Sequence, residues 1–179
     1  MKKILPSLLL LGSGLACTGG PSENPTLSPV TAVPEIDLTQ YVGTWYEIAS
    51  RANRFQANCT GTTATYTLRS DGEITVQNKC FEGGLDGPVK GAEGRARVVD
   101  PSAPSQLEVT FFWPFWGDYW VIDLDPEYRF AVIGQPSREY LWILSRTPHM
   151  DEATYQGILS RLEQSQYPLD GLNKTVQAR

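Results

Sequence analysis

The chain has 179 residues, 41% of them hydrophobic, with a formal net charge of −5 and a pI near 4.9. That is enough apolar material for one domain with a sizeable core. Lys and Arg are scattered rather than clustered, which excludes an evident nucleic-acid surface and electrostatic attraction to an anionic membrane.

Lys2 and Lys3 precede an apolar run, Ile4 to Leu11, followed by small residues and Cys17. Residues 1–16 read as a signal peptide, too short for a mature membrane span. Ser13-Gly14-Leu15-Ala16-Cys17 resembles the lipobox of bacterial lipoproteins, whose cysteine is lipidated and becomes the new N-terminus. Gly14 stands where a larger aliphatic is usual, and Gly14 with Ala16 also suits ordinary signal peptidase, so both routes stay open. On the lipoprotein route Thr18 is no aspartate-type inner-membrane signal. The expected location is then the outer membrane, lipid-anchored and facing the periplasm. Residues 17–35, rich in Pro, Ser, Thr, Gly and Asn, read as the lipidated N-terminus and a flexible tether; residues 36–179 form the domain.

Lipidation of Cys17 leaves Cys59 and Cys80 as a pair in an oxidising compartment. A bridge closing about 20 residues contributes on the order of 3 kcal/mol. With Ser70-Asp71-Gly72 as a hairpin turn, Cys80 falls opposite residue 62 or 63, so the bridge needs a bulge or a Cys59 lying before the strand. Two free buried cysteines are the other reading.

Within the domain, Gly43 to Ser50 reads as a strand. Thr63 to Arg69 and Glu73 to Phe81 flank Asp71-Gly72, a hairpin signal. A strand around Gly91 to Val99 is broken by Asp100-Pro101, and LEVTFFW, YWVIDLD, YRFAVIG and YLWILSR follow at close spacing. About eight strands with tight turns and no intervening helices imply an all-β fold, an eight-stranded antiparallel up-and-down β-barrel without free edges. One helix follows: Asp151 caps it, and Tyr155, Ile158, Leu159 and Leu162 share an apolar face for packing outside the barrel. The tail after Gly171 supplies a last short strand.

Tyr41 to Ala49 (YVGTWYEIA), Leu124 to Gly134 (LDPEYRFAVIG) and Tyr140 to Pro148 (YLWILSRTP) resemble, in order, the three motifs of the lipocalin family. The likeness is nearest to the bacterial lipocalins and the apolipoprotein D-like branch; Phe111 to Ile122 also resembles the bacterial members. It covers about residues 36 to 176. Pro126 departs from the usual second motif, and the cysteine pair is not a general bacterial feature. The resemblance implies that Gly43, Trp45 and Arg146 are the structural signature, Arg146 packing over Trp45 at the closed end. A lysine there would lose the planar contact.

Alternation assigns faces. Leu107, Val109, Phe111 and Trp113 share one apolar side, expected to point inward. In YLWILSR both sides are apolar, and the resemblance resolves which is which: with Arg146 over Trp45, it implies that Tyr140, Trp142 and Leu144 face inward while Leu141 and Ile143 support the helix. Glu47, two residues from Trp45, is inside by parity, either as partner to a buried polar group or as a head-group contact. The expected ligand-binding residues are therefore Glu47, Phe111, Trp113, Tyr119, Tyr140 and Trp142. His149, the single histidine, sits in a connecting turn, and no nucleophile–base set, metal cluster or phosphate loop is visible. A binder without cofactor or metal is the expected class. A chain of ~16 carbons brings on the order of 10 kcal/mol gross on burial, less association costs.

The resemblance implies a small hydrophobic partner, a fatty acid or lysophospholipid, bound, stored or carried for envelope maintenance. The alternatives are a carrier of a rigid apolar ligand (carotenoid, retinoid or haem), a lipid- or carotenoid-modifying enzyme, and an interaction module or homodimer using exposed aromatics such as Phe115 and Trp116.

Overall fold

A computed structural model of the chain describes residues 27–51, 56 and 58–178. The signal peptide, Cys17 and the first part of the expected tether lie outside the described residues.

A one-turn helix, α1 (Leu38–Tyr41), leads into β1 (Gly43–Arg51) and β2 (Cys59–Leu68). Then come β3 (Ile74–Glu82), β4 (Val89–Val98), β5 (Gln106–Phe112) and β6 (Phe115–Leu124). β7 (Phe130–Gly134), β8 (Trp142–Ser145), α2 (Glu152–Gln164) and β9 (Leu172–Lys174) complete the chain. From β1 to β8 every strand pairs antiparallel with its sequence neighbour, and β8 returns to β1. Eight strands thus close an up-and-down barrel, with β9 as an extra strand on β1.

Closure by β1 and β2 is only partial. They pair from Gly43↔Tyr66 to Tyr46↔Thr63 and then separate. The C-terminal segment fills the gap: β9 pairs with Ala49 to Arg51, Thr175 N–H donates to the Ile48 carbonyl, and Gly61 N–H to that of Val176. Backbone groups on both sides of the split thus find partners in the C-terminal segment, as buried polar groups require.

Two apolar clusters follow from alternation. Side chains including Tyr66, Val76, Leu107, Val121, Ile133 and Leu144 fill the lower barrel. Val132, Leu141 and Ile143 point the other way, onto Tyr155, Ile158 and Leu162 of α2. Trp142 and Leu144 inside with Leu141 and Ile143 outside is the division that the motif around Arg146 implies for β8. In β1 a bulge between Glu47 and Ala49 changes the parity, so Trp45 and Glu47 are inward while Ile48 and Ala49 join the helix-side cluster. Asp151 accepts from Thr154 N–H at the start of α2.

The cysteines are bridged, Cys59 to Cys80, with Cα atoms 5.5 Å apart. The straight register, Thr63↔Lys79, would leave Cys80 opposite residue 62. A bulge between Thr60 and Thr63 shifts the pairing so that Cys59 lies opposite Glu82 and bridges diagonally to Cys80, and its Gly61 has φ +58°, with its missing Cβ position 2.7 Å from the Phe81 ring. The left-handed backbone and the tight space both favour glycine there.

Two sequence expectations are corrected. The described end of the presumed tether is not free: Val33 N–H donates to the Val121 carbonyl, Ser105 Oγ donates to that of Val33, and Ala32 is buried. Its small and aliphatic residues, Val30, Ala32, Val33 and Ile36, make it a strap on the barrel wall. Trp113 is not inward either. β5 ends at Phe112, and Trp113 lies in the two-residue turn before β6, 79% exposed. A register shift between Val109 and Phe112 breaks the alternation that had carried it inside.

The lower end is closed by one cation. The Arg146 guanidinium lies 3.7 Å above the centre of the Trp45 ring. It donates to the carbonyls of Gln40 (2.6 Å), Thr44 (3.1 Å), Tyr41 (3.2 Å) and Tyr128 (3.3 Å), while Trp45 Nε1 donates to Tyr41. Gly43, at φ +99°, keeps its backbone close beneath; an added Cβ would stand 3.3 Å from Arg146 Nη1. Beside it Asp125 accepts two hydrogen bonds from the Arg129 side chain and two from the Glu127 and Arg129 N–H groups. Those donors, the Arg129 side chain first, hold its carboxyl down at about 2. Arg146→Lys keeps the charge but loses the planar stack and most of the fan of carbonyl bonds. It should cost about 3 kcal/mol in urea unfolding; a change near zero would show that the stack is incidental.

Candidate functional site

The antiparallel order puts the β1–β2, β3–β4, β5–β6 and β7–β8 connections at the end opposite Arg146, and this end is open. A cavity of about 520 Å³ occupies the mouth, within the roughly 300–1,000 Å³ usual for small-molecule sites. A deeper space of about 100 Å³ continues below, and Gln56, Thr62, Asn78, Val109, Phe111 and Trp142 line both.

The width comes from β4. Its inward row is Ala92, Gly94 and Ala96, following the unbroken register with β3. At Gly94 an added Cβ would fall 2.7 Å from the Phe111 ring, so the glycine gives Phe111 its place on the wall. Opposite stand Trp142 and Tyr140, whose rings stack at 5.7 Å and 11°. Tyr140 sits just before β8 in a loop pinned by Tyr167, whose hydroxyl donates to the Tyr140 carbonyl at 2.7 Å.

Polar side chains interrupt this apolar wall, among them Gln56, Thr62, Asn78 and the carboxylates of Glu47 and Asp118. The Glu47 carboxylate is buried, 4% exposed, and fully engaged. Thr175 Oγ1 donates at 2.6 Å, Ser50 Oγ at 3.0 Å and Gln56 Nε2 at 2.7 Å. Gln56 Oε1 accepts from Trp142 Nε1 at 3.0 Å, so the carboxylate fixes the largest ring of the wall through one amide. Gln177 Nε2 donates to the carbonyls of Glu47 and Thr62, tying the C-terminal segment across the seam. Thr62 Oγ1, buried between the two spaces, has no protein partner.

Below lies a second polar set. The Tyr119 hydroxyl bonds those of Tyr41 (2.6 Å) and Tyr66 (2.8 Å). Burial pushes all three phenols up, Tyr66 to about 12 and the others well above their ordinary value. Tyr119 therefore belongs to the floor as much as to the cavity wall.

Of the expected ligand contacts, Glu47, Phe111, Tyr119, Tyr140 and Trp142 line the cavity and Trp113 does not. His149 is exposed beyond Arg146, at the end away from the mouth. Among the described residues no group of three His, Cys, Asp or Glu side chains is placed to hold a metal. Sequence reasoning missed Gln56, Thr62, Gly94, Thr175 and Gln177. Only Gly94 carried a local signal, as a glycine inside a strand.

The model of the lipocalin-like domain matches residues 36–177. Temperature-induced lipocalin-1 of Arabidopsis thaliana is 44% identical over 82% of each chain. The outer membrane lipoprotein Blc of Citrobacter freundii is 40% identical over 88% of each, and apolipoprotein D of Macaca fascicularis 35% identical over 82% of each. Among solved structures, insecticyanin from the tobacco hornworm Manduca sexta superposes with a TM-score of 0.66 at 20% identity, over 85% of this chain and 86% of that one. It shows the same fold.

The three linked phenols predict a titration. On the 295 nm absorbance curve part of the signal of the eight tyrosines should be delayed, that of Tyr41, Tyr66 and Tyr119 above all, with Tyr155 and Tyr167 also raised by burial. Since their folded values are raised, the stability they confer is complete below about pH 10 and lost as pH rises towards 12. A single transition near 10 for all eight would contradict the buried triad.

Proposed function

The chain belongs to the lipocalin family, and from that membership we propose that it binds, stores or carries amphipathic lipids, fatty acids or lysophospholipids, in the cell envelope. The observation that carries this reading is the cavity: an aromatic and aliphatic wall about 520 Å³ in extent, open at one end, closed by Arg146 at the other. An acyl chain meets Trp142, Phe111 and Val109, and its head stays at the rim, where exposed Lys90 stands on the inward row of β4. The carboxylate of Glu47, already holding three donors, organises the wall and keeps Trp142 in place.

Three bacterial relatives of this chain are named as outer membrane lipoproteins. With the lipobox-like stretch ending at Cys17, they support an outer-membrane lipoprotein anchored through that cysteine. The plant relative carries no such word in its name. A binding role also fits the largely aromatic and apolar lining of the cavity, in which the Asp118 carboxylate and, at the mouth, Lys79 and Lys90 also take part. A rigid apolar ligand is the second reading, favoured by the parallel stack of Tyr140 on Trp142, which presents a flat face.

Delipidated protein titrated with saturated fatty acids should show tryptophan quenching and an affinity that rises with chain length, by up to about fourfold per methylene. Trp142→Phe should remove most of the quench. Ala92→Phe, which narrows the mouth, should weaken the longer chains most. Flat affinity across chain lengths would refute the acyl-chain reading, and a coloured purified protein would favour the rigid ligand.

A further inference from the structure

The β5–β6 turn is unlike the rest of the surface. Phe112 is 71% exposed, Trp113 79% and Phe115 78%, three large aromatics in four residues at the mouth. Val89, at the mouth end of β4, adds a fourth exposed apolar side chain at 66%. Phe112 and Phe115 line the cavity on their inner sides. Scattered exposed apolar residues need no explanation, but a contiguous cluster at the rim of a cavity does.

The strap says what this rim faces. Ser28 is held at the mouth end: its carbonyl accepts from Arg138, in the loop between β7 and β8. Val33 lies alongside Val121 midway, and at the floor Asp37 N–H donates to the Tyr128 hydroxyl. The strap therefore runs from mouth to floor, and the polypeptide joins the barrel at the same end as the aromatic tip. Cys17 lies 11 positions before Ser28 (28 − 17), a span of at most about 40 Å. A chain anchored there joins the barrel from the mouth end.

Charge around the tip permits the approach. Exposed Lys79 and Lys90 offset Glu82 and Asp86 on β3, β4 and their connection, and Lys90 is already paired with Glu82 at 3.5 Å. Exposed Asp118, three residues from Phe115, adds a further carboxylate, so the rim carries charges of both signs with lysines among them. A protruding two-residue turn also offers too little flat area for a stable interface between copies, which needs roughly 800 Å² per partner. Aromatic side chains with nearby lysines are the composition that settles at a lipid–water boundary.

We propose that the mouth of the barrel docks on a lipid bilayer through the Phe112–Phe115 tip, so that ligand passes between bilayer and cavity without crossing open water. The passage rests on the lipid-binding reading above; the docking does not.

The test uses the chain from Thr18 onward, which contains every described element and lacks the leader and Cys17, with phosphatidylethanolamine–phosphatidylglycerol vesicles carrying brominated acyl chains. The expected result is co-sedimentation with tryptophan quenching. Trp113→Ser should lower the vesicle partition coefficient several-fold, with unchanged melting temperature and unchanged fatty-acid affinity in the absence of vesicles. Trp113→Phe should still sediment but lose most of the quench. Phe112→Ser with Trp113→Ser and Phe115→Ser should lower partition at least tenfold. Equal partition of all variants, or none by the unsubstituted chain, overturns the docking. So does a concentration-dependent dimer that Trp113→Ser dissolves without any bromine quenching, which would assign the tip to a second copy. Fatty-acid binding measured without vesicles keeps the two readings apart, since its failure alone sinks the ligand and leaves the docking standing.

Discussion

A barrel that holds a ligand must leave much of its interior unfilled, so its closed end has to be secured by something other than a full core. Here that constraint is met by the Arg146 guanidinium. It covers the Trp45 ring and reaches four carbonyls from α1, β1 and the β6–β7 connection. A planar cation with five donors can do both at once, which an ammonium cannot. The tyrosine triad rests directly above it, and from there upward the barrel is free to open.

The second condition is a complete seam. β1 and β2 part halfway up, and a gap there would expose backbone donors to an apolar cavity. The C-terminal segment closes it, with Thr175 and Gln177 reaching the Glu47 side chain and carbonyl. A carboxylate inside an apolar wall is costly unless every lone pair is engaged. Glu47 is engaged by Ser50 of its own strand, by Gln56 just beyond it and by the distant Thr175, and through Gln56 it orients Trp142. The same residue thus serves the closure of the barrel and the shape of the site.

Much of this was legible in the sequence because alternation is local. The lower part of β5 showed which side chains face in, β8 did so only once the family motif placed Arg146 over Trp45, Asp71-Gly72 marked its hairpin, and Asp151 marked the helix start. The three family motifs named Trp45 and Arg146. Alternation failed where register did. The shift in β5 turned Trp113 out to the tip, and the bulge in β1 sent Ala49 to the helix side after Glu47 had been placed correctly inside. The bulge at Gly61 was anticipated only because two cysteines had to meet. Partners from remote segments left no local mark: nothing near Thr175, Gln177 or Gln56 points to Glu47, and a low-complexity stretch gave no sign that its last residues lie along the barrel wall.

The central claim is that the floor and seam exist to keep an acyl-chain cavity open. Native mass spectrometry of the protein isolated from its native source tests it most directly. The account predicts a 1:1 complex whose dissociated ligand has the mass of a fatty acid or lysophospholipid. A barrel that is empty when isolated without detergent, or one that retains a rigid pigment instead, would contradict it.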